Sequence, residues 1–228
     1  MTTTIQRSLM ALSLAGLLSL PAAHAAGYDA TADFQTLSNP GGVWSYGYSP
    51  LDGAAYGMTL FDLPGTDKWS MSNYSNLGTP AAFMNTGPTA NGVATGQLAL
   101  HPGPAANGDL AILRFTAPAA GSYAVTGQFF AGDSGGMQGL IIVNDDAAHP
   151  LQSFANTNDA SLFAPLTLTL AAGAHIDFAV GNNGSFLFGS TPLNVQIEAA
   201  PVPEAGTALL MLSGLALFAY MGGRRRAR

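Results

Sequence analysis

The sequence predicts an all-β protein: an antiparallel β-sandwich or jelly-roll outer domain between an N-terminal signal peptide and one C-terminal transmembrane helix. Three observations predict it. Short runs of β-branched and aromatic residues alternate with Gly, Pro, Asn and Asp punctuation through the central segment, the pattern of many short strands. No window between residues 30 and 200 carries the 3.6-residue apolar period of a helix. The two ends are apolar runs with basic flanks, a targeting pattern rather than a folding one.

The chain opens with a polar stretch carrying Arg7, then an apolar run over residues 9–20, Pro21 and the small-residue site Ala23-His24-Ala25. This is a cleavable signal peptide over residues 1–25, because its apolar part is shorter than the ~20 residues a bilayer span needs. The far end begins Pro201-Val202-Pro203-Glu204 and continues in an uncharged apolar run over residues 205–221. At 1.5 Å per residue that run is roughly 25 Å long, enough for a transmembrane helix. Arg224, Arg225, Arg226 and Arg228 close it as a membrane stop and keep that end cytoplasmic before processing. The outer domain, residues 27–200, is then periplasmic or extracellular.

The tail, residues 201–228, resembles the PEP-CTERM sorting signal of Gram-negative bacteria. The matching residues are Val202-Pro203-Glu204, the apolar run and the arginine cluster, with Ala205 where the motif has its second proline. The resemblance implies an exosortase-type sorting enzyme as partner and an envelope or extracellular destination, often in bacteria that make exopolysaccharide.

In the outer domain, strands are expected at residues 34–37, 43–48, 57–61, 69–71, 81–84, 98–100 and 110–116. They continue at 122–130, 138–143, 151–154, 165–170, 175–180 and 193–198. Tyr123, Val125 and Phe129 should face one side while Ser122, Thr126 and Gln128 face the other. Leu166 to Leu170, Ala171-Ala172-Gly173 and Ile176 to Val180 read as a hairpin with a short loop. The phrases Phe115-Thr116-Ala117-Pro118-Ala119-Ala120-Gly121-Ser122-Tyr123 and Leu168 to Phe178 are similar to secreted jelly-roll carbohydrate-binding modules. So are Val43 to Tyr48 and His101-Pro102-Gly103. That resemblance implies the fold, and a carbohydrate ligand or a structural calcium as expectations.

Charge narrows the function classes. The outer domain holds two basic residues, Lys68 and Arg114, against twelve acidic ones, a net charge near −10. Such a surface repels phosphate backbones, so no nucleic-acid partner is expected. The chain has no cysteine, which removes disulfides, thiol catalysis and cysteine metal sites.

Candidate site residues fall into three groups. Trp69, Tyr46, Tyr74 and Asn73 lie in an aromatic-rich first third and form a candidate platform for sugar rings. Core packing is the competing reading, since large aromatics dominate interiors. Asn144, Asp145, Asp146 and Asp159 are candidate calcium ligands in loops, with Asp29 and Asp33 near the start of the domain; calcium takes six to eight oxygens. No tandem calcium signature is present, and solvated turns compete. Gly132-Asp133-Ser134-Gly135-Gly136 spells a serine-protease nucleophile loop, but only His101 precedes it in the domain, too close in sequence for that fold.

The scattered histidines give no zinc spacing, and the single glutamate of the outer domain, Glu198, argues against a glycosidase carboxylate pair. The expectation is therefore a non-enzymatic surface or matrix protein that binds exopolysaccharide. A purely structural envelope component is the alternative, and a hydrolase without a recognised motif is the third reading. The first two part over whether the aromatic strip is exposed.

Overall fold

The computed structural model describes residues 26–50, 56–74, 77–104, 109–159 and 161–201, together with residue 214; Tyr74 and Pro201 are described by backbone alone. The expected signal peptide and transmembrane helix fall outside these residues. Among the described residues no helix is long and apolar enough to cross a membrane.

In chain order the strands are β1 (Ala26–Asp29), β2 (Trp44–Pro50), β3 (Thr59–Leu60), β4 (Leu63–Pro64), β5 (Lys68–Ser70), β6 (Ala81–Met84), β7 (Leu98–His101) and β8 (Asp109–Thr116). They continue with β9 (Gly121–Phe129), β10 (Gln138–Val143), β11 (Gln152–Phe154), β12 (Ser161–Leu162), β13 (Leu166–Leu170), β14 (His175–Gly181) and β15 (Thr191–Pro201). One turn of 3-10 helix, Ser72–Tyr74, interrupts them.

All the strand pairs are antiparallel and form two sheets. The first runs β12-β9-β15-β7-β6-β5-β4, with β1 added to β15 and β13 to β9. The second runs β11-β10-β14-β8-β2-β3. Side chains alternate across each strand, so one face of each sheet turns inward. Leu98, Leu100, Val125, Phe129, Val195 and Ile197 from the first sheet meet Trp44, Tyr46, Leu113, Phe115, Ile141 and Phe178 from the second in one core. Tyr123, Val125 and Phe129 are at most 2% exposed, as their period-2 spacing requires. The Trp44 and Phe115 rings pack edge to face at 5.4 Å, a favoured aromatic geometry.

The outer face of the second sheet carries a smaller apolar layer: Leu110, Ile112, Leu140, Ile142 and Ala179, with Tyr56 and Met58 packed against it. This layer gives β8, β10 and β14 near-continuous burial.

Two expectations need correction. Residues 34–37 are not a strand, because side chains take the backbone hydrogen bonds that a ladder would need. Asp29 Oδ1 accepts from the amides of Thr31 and Ala32, and Gln35 Oε1 from those of Leu37 and Ser38. The β13 and β14 pair is not a hairpin: β13 pairs with β9 and β14 with β8, in opposite sheets. Its turn is an arch between sheets, fixed by the Ala117 amide donating to Ala174 and the Gly173 amide to Ala117. Short β1, β4 and β12 carry no readable signal of their own and exist through their partners.

The loop joining β6 to β7 supplies a test of backbone fit. Gly92 and Gly96 both hold left-handed φ, 73° and 78°. A Cβ on Gly92 would overlap the Gly132 backbone, whereas one on Gly96 meets open space. Gly96→Ala is expected to cost about 1–2 kcal/mol, the left-handed penalty. Gly92→Ala should lose clearly more in urea denaturation; equal losses would contradict this packing.

Candidate functional site

The densest polar cluster forms where β8 and β14 lie side by side. Register places Arg114 opposite Asp177, so a cross-strand pair of opposite charge is built into the sheet. Arg114 Nε donates to Asp177 Oδ1 at 2.6 Å and its Nη2 to Asp177 Oδ2 at 2.7 Å, a bidentate fork. The same Nη2 donates to Asp145 Oδ1 at 2.6 Å. Tyr56 donates its hydroxyl to Asp177 Oδ2 at 2.6 Å, and His175 Nε2 lies 3.1 Å from Asp145 Oδ1.

Asp177 is fully buried, which is tolerable for a carboxylate only with partners of this kind. Burial opposes the Arg114 charge, but Asp177 and Asp145 outweigh it and raise the guanidinium pKa. Burial pushes the Tyr56 phenol upward, and the Asp177 charge adds to it. For Asp145, burial raises the carboxyl while Arg114 and His175 lower it further, leaving it below the ordinary value.

Asp145, His175 and Asp177 each offer a ligand atom within 4.8 Å of the others. A divalent ion there would meet the Arg114 guanidinium, which already donates to both carboxylates. The arrangement is an ion-pair network, and its acids fit a metal poorly.

The expected calcium ligands do not converge. Asn144 and Asp145 turn the chain after β10 with φ of 50° and 62°, a conformation that Asn and Asp tolerate. Asn144 Oδ1 accepts from the His175 amide, and the Asp146 carboxylate lies 3.1 Å from His149 Nδ1. Asp159 sits in the loop that bonds back to Met137, before the opposite end of β10. Six residues of β10 at ~3.3 Å each separate the two ends by roughly 20 Å. Asp29 and Asp33 border a shallow depression of about 220 Å³ with Gly27, Tyr28, Gln196, Ile197 and Glu198. Their carboxylates already accept from backbone amides and from the Trp44 indole N–H.

The aromatic platform is also corrected. Tyr46 is 0% and Trp69 5% exposed, and both pack in the core. The Trp69 indole N–H donates to the Gln35 carbonyl at 2.8 Å, so its polar edge is satisfied under the 34–38 loop. Asn73 is exposed beside them, and the Tyr74 side chain lies outside the described residues. Neither Trp69 nor Tyr46 presents a ring face to a ligand.

At the opposite end of the sandwich from Asp145, the Gly132 to Gly136 loop meets residues 186–190. Gly135 donates to the Phe188 carbonyl and Asp133 to Ser190. Burial lowers the His101 imidazole pKa, while its bond to the Pro102 carbonyl and the Asp133 charge act the other way. Leu187 and Phe188 are 56% and 61% exposed, and Phe188 holds φ 58°, which is uncommon for a bulky residue. Nothing in the sequence singled these two out; the only cue was the apolar run Phe186-Leu187-Phe188 between Gly184 and Gly189.

Two outcomes follow from the Arg114 cluster. Arg114→Met leaves the buried Asp177 carboxylate without its counter-charge, held only by the Tyr56 hydroxyl, and should cost about 3–5 kcal/mol in urea denaturation. Pairing it with Asp177→Leu should recover most of that loss. Because the folded pKa of Asp145 is depressed, its contribution is complete above the unfolded value of about 3.9 and disappears as pH falls through the folded one. Asp145→Asn should therefore flatten the acid limb of the stability profile below about pH 4; an unchanged acid limb would contradict the pairing.

Both ends of the described domain meet at one edge. β1 begins at Ala26, paired with Ala199, and β15 ends at Pro201, paired with Gly121. Residues 201–226 match the family model of the PEP-CTERM protein-sorting motif. No curated protein matches the chain. Arthrobacter globiformis T6 isomalto-dextranase complexed with panose is a similar solved structure, at 16% identity and a TM-score of 0.29. That match covers 68% of this chain and 23% of the other, so this chain spans under a quarter of that protein's length. The tail is thus a PEP-CTERM sorting motif, the mark of an exported protein handled by an exosortase-type enzyme and anchored through its C-terminal region.

Proposed function

We propose that the exported domain is a non-enzymatic structural component of the cell surface or extracellular matrix. The observation that supports this reading is the burial of Trp69 and Tyr46: the aromatics that would have read a polysaccharide hold the two sheets together instead. The acid cluster supports it as well, since Arg114 already satisfies Asp145 and Asp177.

Binding of an exopolysaccharide is the second reading, favoured by one observation elsewhere. Leu187 and Phe188 stand exposed on a loop held by Gly135, and an aromatic in an unusual backbone conformation is a recognised feature of binding loops.

A glycan array and polysaccharide pull-down with the mature protein separates the two. The structural reading expects no saturable binding, and expects Trp69→Ala to lower stability by about 3–5 kcal/mol. Saturable binding abolished by Phe188→Ala would establish the second reading. Turnover of a polysaccharide by the purified protein would overturn both.

A further inference from the structure

Pro201 is the last residue of β15, opposite Gly121 of β9, and the sorting motif starts at that same residue. From Pro201 to Glu204 is three residues, at most about 10 Å of extended chain. An enzyme that engages Pro203-Glu204 while the domain is folded must therefore touch the edge from which the tail leaves.

That edge has a defined makeup. Gly121 of β9 lies between Pro201 of β15 and Leu170 of β13. Beside it are two turns, Pro118-Ala119-Ala120 and Ala171-Ala172-Gly173, all six residues exposed. The turns are stitched together through the amides of Ala117 and Gly173, so they form one rigid, small-residue collar. Neither carries a charge, in a domain whose net charge is near −10. Glu198 lies three residues back along β15, while His175 opens β14 directly after the second turn, with Asp145 Oδ1 3.1 Å from its Nε2. The expected signal-peptidase site, ending at Ala25, abuts Ala26, which pairs with Ala199. Ala26 and Pro201, the two ends of the described domain, thus lie together at this edge.

We propose that the collar formed by the exposed turns 118–120 and 171–173 is the docking surface for the exosortase-type enzyme that processes this chain's tail. The inference rests on the sorting reading of residues 201–226. Its physical content is that the enzyme reads a folded edge together with the motif. An uncharged, small-residue surface allows close approach without desolvating charge, which the short reach to Glu204 demands.

The test uses the full chain, expressed in a host that carries the processing enzyme, with the rate of tail removal followed by mass. Ala119→Glu/Ala172→Glu places two charges on exposed turn positions. It should slow processing at least tenfold while the melting temperature of the mature domain stays unchanged. Inserting ten Gly/Ser residues between Pro201 and Val202 parts the motif from the dock. It should slow the parent by a comparable factor and add little further loss to the double variant; a parent rate unchanged by the insertion would overturn the proposal. Parental processing of the double variant overturns the proposal. So does a several-fold acceleration by the insertion alone, which would make the domain an obstacle rather than a dock. Binding of the mature domain to protein-free phosphatidylcholine vesicles, lost in the double variant, would reassign the collar to lipid and also overturn it. Glu204→Gln checks the underlying reading separately: it should block processing, and normal processing of that variant would remove the sorting claim itself.

Discussion

Strand β15 is the constraint on which the rest of the structure depends. It pairs with β9 over nine residues, from Leu193 opposite Phe129 to Pro201 opposite Gly121. Its other side is shared by β7 near the start and β1 near the end. Leu193, Val195 and Ile197 project from it into the core. Because β1 and β15 are separated by roughly 170 residues, their pairing is a late, entropically costly contact. The domain cannot close until the chain up to the sorting motif has been exported. Folding and sorting therefore share one strand.

The second sheet solves a different problem. Its outer face carries an apolar layer under Tyr56 and Met58, beside the Arg114 and Asp177 pair. A buried pair of this kind contributes less to stability than its short distances suggest, because both charges lose their water. Breaking it is costly. It also fixes register, since a one-residue slip of β14 against β8 would place Asp177 on the core face.

The strand pattern was largely legible in the sequence. β6 and β10 have the expected limits, and the alternation of Tyr123, Val125 and Phe129 gave their facing correctly. The sheet assignment of β13 and β14 was not legible. Ala171-Ala172-Gly173 says that the chain turns, but whether the next strand pairs or crosses to the facing sheet depends on distant partners. Trp69 misled for a similar reason: polar Lys68 and Ser70 suggested exposure, while its cover comes from Gln35, thirty-four residues away. The Arg114 cluster left a faint trace, the domain's one arginine and an aspartate inside the alternating run Ile176-Asp177-Phe178. The sorting tail was legible because its signal is local and linear, needing no tertiary partner to be read.

Native-state hydrogen exchange on the mature domain tests the central role of β15 most directly. The account predicts that the amides of Val195, Ile197 and Ala199 exchange only through global unfolding, with the β1 amides protected almost as well. Exchange of the 195–201 segment at loop-like rates, in a domain otherwise folded, would contradict it and uncouple the sandwich from the tail that follows.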